Sequence, residues 1–199
     1  MLPGMTSEYQ RKSWSTTLSG GNPAAQMSAR AGLWLVSRET RPQDAREAWM
    51  RDAPAMLRTG LHFAAVRLPA GLLHRLAGGE DRGGVEKVFR SFGVTGAVIA
   101  DPNQRRYYAL VRPVEACPGP WDDPAVELLG RDCYLGVPAP YRADPPGTHW
   151  LLAPPEGEED LCDLAAMGNL VAAARGCEHG ARGTMGSVNW SWSVPARRV

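Results

Sequence analysis

The chain has 199 residues, 44% of them hydrophobic and 22% charged, with a formal net charge of +1. That length suits one domain able to bury a substantial core, and the near-neutral balance excludes recruitment of DNA or an anionic membrane by a global field. Any basic surface must be local.

Residues 1–22 carry Ser, Thr, Gly and Gln with little apolar periodicity, and a flexible leader is expected over 1–23. Ala24, Met27, Ala31, Trp34 and Leu35 recur at helical spacing, which predicts a helix over 24–38. Pro42 suits the first turn of a second helical stretch with Ala45, Ala48, Trp49 and Leu57 on its apolar side, interrupted at Pro54 and ended by Gly60. A strand is expected from Leu61 to Leu68, closed by Pro69. A short helix follows over 70–77, stopped by Gly78 and Gly79. A second spans 85–92, where Val85, Val88, Phe89 and Phe92 stand three or four apart.

The most legible segment is a hairpin, with strands near 95–100 and 106–112 around Asp101-Pro102-Asn103-Gln104. Asp-Pro and Asn are turn formers, so the turn has a mechanism. Residues 113–123 read as loop and 124–129 as a helical turn. Short strands are expected over 133–137 and 149–152. The acidic run 156–160 is expected to open a last helix. Its apolar side is Leu161, Leu164, Ala165, Met167, Gly168, Leu170, Val171 and Ala174, with carboxylates at the positive end of the dipole and Gly176 as its stop. Residues 180–199 show no period and are expected to form a C-terminal tail. The strands fall in hairpin-like neighbours rather than alternating strictly with helices. The fold class is therefore α+β: a small mixed or antiparallel sheet with a central hairpin, helices packed on it, and one domain over 24–179.

Candidate chemistry is thin. Cys133, Cys162, Cys177, His149 and His179 include no Cys-x-x-Cys or His-x-x-x-His pair to seed a zinc site, and Cys177-x-His179 alone is a weak signal. The four widely spaced cysteines, the fourth being Cys117, read as free thiols of a reducing compartment. No Gly-x-Ser-x-Gly elbow occurs. Asp122-Asp123 reads as a loop or helix cap rather than a cation site. Gly78-Gly79 and Gly83-Gly84 flank Glu80 and Asp81, acids that oppose phosphate binding, and no phosphate-loop spacing occurs. No catalytic residue, metal ligand or cofactor is assigned. An enzyme would need carboxylates converging with His62, His74 or His149 in one pocket.

Nucleic acid is the alternative. Arg105, Arg106, Tyr108 and Arg112 on the hairpin are the candidate contacts, arginines for phosphate and a tyrosine for stacking. Strand alternation puts Tyr107 and Tyr108 on opposite faces, so one of them belongs to the core. Lysine occurs only at Lys12 and Lys87, the mark of a GC-rich coding bias, so each arginine says less about fork geometry than it would elsewhere. A protein partner is the second alternative, anchored by Trp14, Trp190 and Trp192 in the irregular ends. No run reaches the ~18–20 apolar residues of a membrane span, and the N-terminus lacks the apolar stretch of a signal peptide, so a cytoplasmic location is expected.

Several stretches resemble actinobacterial proteins of the bifunctional DNA primase/polymerase N-terminal (prim-pol) group. They are Gly60-Leu-His-Phe-Ala-Ala-Val-Arg-Leu-Pro69, Gly96-Ala-Val-Ile-Ala100 with Arg106-Tyr-Tyr-Ala-Leu-Val111, Tyr134-Leu-Gly-Val-Pro138, and His149-Trp-Leu-Leu-Ala-Pro154. Active members of that superfamily carry an Asp-x-Asp or Asp-x-Glu metal pair on a strand, a catalytic histidine and a further acid. Here the 61–68 strand has no acid, and Asp101 stands alone at a turn. Two-metal chemistry needs carboxylates held together. The resemblance therefore implies a degenerate, non-catalytic relative, with an accessory or regulatory role in replication or the control of a mobile element.

Overall fold

A computed structural model describes residues 23–103, 105–114 and 125–180, with side chains placed from 27 to 176. The leader before Pro23, the tail beyond Gly180, Gln104, Cys117 and Asp122-Asp123 lie outside the described residues, as do the side chains of Cys177 and His179.

Helix α1 runs Pro23–Val36 and α2 Pro42–Met50, the latter with proline in its first turn. The helical stretch expected to reach Gly60 stops there. Asp52 takes a left-handed φ of 58°, and Pro54 can donate no helical N–H. Ala55–Arg58 is strand β1 instead, with Ala55 and Leu57 inward and Met56 outward. The period has changed from 3.6 to 2.

Strand β2 is Ala64–Pro69, later than the expected start at Leu61 because Gly60 first turns the chain. Gly60 has φ 84°, and a Cβ there would strike the backbone at Gly130 and Arg131. Only glycine fits on both counts. Helices α3 (Ala70–Ala77) and α4 (Arg82–Ser91) follow, and Asp81 caps α4 by accepting from Gly84 N at 2.9 Å. Strands β3 (Val98–Ala100) and β4 (Arg106–Val111) form the expected hairpin. Its turn is fixed by the Asp101 carboxylate, which accepts from Arg105 N at 2.8 Å.

The segment expected to be a helical turn near 124–129 carries strand β5, Glu127–Leu129. Val126 and Leu128 face one core and Leu129 the other, so burial follows strand alternation. Pairing with β2, far away in sequence, decides the conformation. Strand β6 is Tyr134–Val137, and β7 only His149–Trp150. The acidic run does not open the last helix. Glu158–Asp160 is a separate 3-10 turn whose Asp160 carboxylate accepts from Glu156 N and Gly157 N. Helix α5, Leu164–Gly180, has no acid in its first turn and runs past Gly176.

The sheets are antiparallel: five strands in the order β5-β2-β4-β3-β7, and a two-stranded ribbon β1-β6. The fold is α+β, with the hairpin strand β4 at the centre of the larger sheet. One face of that sheet (Val66, Leu68, Tyr107, Ala109, Val111) packs against α3, α4 and α5. The other (Ala65, Ile99, Leu110) packs against α1, α2 and the ribbon, with Trp49 and Trp150 within the cluster. Gly96 allows residues 160–162 to press against the sheet: Ala97 N donates to Asp160 O, and Cys162 N to Leu110 O at 2.7 Å.

Candidate functional site

Strand register builds a basic corner at the turn end of β4. Arg67 stands opposite Tyr108 and Pro69 opposite Arg106 across β2-β4, while β5 brings Glu127 opposite Arg67. Arg67, Pro69, Arg105, Arg106 and Ala125 line a recess of about 260 Å³. Arg67 pairs with Glu127 at 2.6 Å. Arg105 and Arg106 are exposed, and no carboxylate among the described residues pairs with either guanidinium. Among the described residues the corner holds three arginines against two carboxylates, Glu127 on Arg67 and Asp101 on the Arg105 backbone N–H. Glu127 escapes a reading of the sequence that makes its segment helical; the alternation of Val126 and Leu128 is the signal that could have revealed it.

The four candidate contacts do not all converge. Arg105, Arg106 and Tyr108 share the corner. Arg112 is exposed beyond the far end of β4, six residues from Arg106, or roughly 20 Å of extended strand. Tyr107 is in the core, edge-on to Phe89, with its hydroxyl 3.2 Å from His74 Nε2. Tyr108 is half-buried against the opposite core, so its ring is not an open stacking platform. Arg82 belongs to the scaffold. It binds Glu86, Asp144, the Ala143 carbonyl and the Trp150 carbonyl, tying α4 to the connection before β7.

The histidines do not gather in one pocket. His149 Nδ1 lies 2.9 Å from Gly147 O. His74 stands beside Tyr107, with Glu80 3.7 Å away. His62, 5% exposed, lies against the Trp34 indole with ring centroids 3.7 Å apart and donates from Nε2 to Trp34 O at 2.7 Å. Its buried Nδ1 has no partner. Burial pushes its pKa below the ordinary histidine value, and nearby Arg38 adds to that shift. Cys162 is buried and its thiol donates to Ala97 O. Burial pushes its pKa up to about 12, so it stays a neutral thiol. Among the described residues no three His, Cys, Asp or Glu side chains cluster to hold a metal, and no helix is long and apolar enough to cross a membrane.

A second concavity is apolar. A groove of about 980 Å³ runs between α1, α2 and the 140–143 and 154–156 segments. Met27, Gly32 and Leu33 form one wall, Trp49 and Pro140 lie opposite, and Arg46 and Glu156 supply charge. Leu33 and Tyr141 are each 61% exposed there. Met27, expected on the buried side of α1, is half exposed on this groove.

No family model, curated protein or solved structure matches the chain.

Proposed function

We propose that this is a non-catalytic accessory protein, resembling a degenerate prim-pol domain, that engages nucleic-acid phosphates through Arg105 and Arg106. Replication or control of a mobile element, in the cytoplasm, is the setting that goes with the resemblance. One observation carries the reading: two exposed arginines without carboxylate partners stand beside a third at one recess. Phosphate contacts of this kind give affinity without sequence preference. Tyr108 contributes the exposed part of its half-buried side chain, and Arg112 lies too far along the strand to share a phosphate with the corner.

Fluorescence anisotropy with single-stranded and duplex DNA tests it. Binding weakens as salt rises, and Arg105→Ala with Arg106→Ala lowers the log-log salt slope on single strands by about 0.7 per lost phosphate contact. Salt-insensitive binding, or a slope unchanged in the double variant, rules the reading out.

The apolar groove favours a second reading, a protein-docking module. A concave apolar surface with a few polar groups at its edge suits a peptide segment carrying a large apolar anchor. Trp14, Trp190 and Trp192, the tryptophans of the irregular ends, lie outside the described residues.

A further inference from the structure

The groove beside α1 is the largest apolar concavity described above, and its α1 wall has a helical rhythm. Ser28, Ala29, Gly32 and Leu33 line it, with Trp49 of α2 and Pro140 across from them. Gly32 lets α1 approach the far side closely: the Pro140 and Trp49 side chains stand 3.5 and 3.8 Å from where its Cβ would be.

We propose that the occupant of this groove is the chain's own segment 14–18, folded back along α1 so that Trp14 and Leu18 cover the apolar wall. The proposal rests on the protein-docking reading of the groove and names what fills it.

Reach, turn chemistry and side chains all point to this segment. Eight residues separate Trp14 from Pro23, the first residue of α1. Extended, they span roughly 27 Å. Ten helical residues from Pro23 to Leu33 rise only about 15 Å. Ser19-Gly20-Gly21-Asn22 is a run of turn formers placed where the chain must reverse. With those four residues spent on the turn, the remaining four span roughly 13 Å, which brings Trp14 level with Gly32 and Leu33. Trp14 and Leu18 are large apolar residues four apart, so in an extended segment both fall on the side facing the apolar wall. A tether this short holds the segment at an effective concentration on the order of millimolar, so modest contacts suffice. A foreign segment must displace it, which makes the groove self-covered.

The test uses the full-length chain. Trypsin needs several extended residues on either side of its target, so cleavage after Arg11 or Lys12 reports whether the adjoining segment is bound. The parent is expected to be cut there on the order of tenfold more slowly than Leu33→Arg, a change at an exposed groove position, or than Trp14→Ala with Leu18→Ala. Binding of the apolar dye ANS should rise in the Trp14/Leu18 variant and fall again when Leu33→Arg is added. Equal cleavage rates in all three proteins would overturn the proposal. Strong dye binding by the parent, abolished by Leu33→Arg, also overturns it but leaves the groove as a docking site for another protein. An absence of groove-dependent dye binding in every variant removes both ideas. A parent dimer by light scattering that Leu33→Arg converts to monomer makes a second copy the occupant and likewise overturns self-covering.

Discussion

Single residues divide here between those spent on the scaffold and those left available. Arg67 and Arg82 look alike in the sequence as members of a basic run, yet Arg67 is tied to Glu127 and Arg82 to Glu86 and to three acceptors at residues 143–150. Arg105 and Arg106 remain open to solvent. Alternation alone separates Tyr107 from Tyr108. It cannot reveal that both faces of the sheet are covered, which is what half-buries Tyr108. His62 shows another limit of the sequence, since nothing near it foretells the stack on Trp34 or the orphaned Nδ1. Its consequence is measurable. The folded pKa lies below the unfolded one, so the unfolded chain takes up the proton first and stability rises with pH. The contribution is complete above about pH 6.5 and is lost as pH falls through the folded pKa. Denaturant titrations from pH 8 to 5 should show stability falling below about pH 6.5, by at most about 1.4 kcal/mol per pH unit from this group. His62→Gln, which keeps a donor and does not titrate, should flatten that slope; an identical slope would assign the effect elsewhere.

Elements with a strong local signal are well placed by the sequence. The hairpin, α3 and α4 each have their own periodicity and their own stop, and the structure puts them within a few residues of the expected bounds. Elements that exist through distant pairing are not. Strand β1 is made by β6, and β5 by β2, partners roughly eighty and sixty residues away in register. Local propensity holds no record of either. For the same reason the basic corner was only half legible: Arg105 and Arg106 announce themselves, whereas Glu127 arrives on a strand that local reading makes a helical turn. Gly60 shows how such long-range fits become obligatory. Gly60→Ala must adopt φ near 84° and displace the backbone at Arg131, so a loss of about 2–4 kcal/mol is expected in urea titration. Gly79→Ala, with open space at its Cβ, serves as the control and should cost little.

At the scale of the whole molecule, the larger sheet is a shared wall. Strand β4 contributes Tyr107, Ala109 and Val111 to one cluster and Leu110 to the other. Damage on either side should therefore be felt throughout. Phe89→Ala beneath α4 and Leu57→Ala in the ribbon should each cost about 3–5 and 2–5 kcal/mol, respectively. Both should lower the midpoint of one common thermal transition, followed in parallel by tryptophan fluorescence and far-UV circular dichroism. Two separated transitions would mean that the faces unfold independently. The margins of the same sheet carry a different consequence. Its outer strands are β5, three residues long, and β7, two residues long. Such stubs present few free backbone N–H and C=O groups, so a strand from another molecule finds almost no template along either margin. The larger sheet is thereby guarded against edge-to-edge growth into fibres.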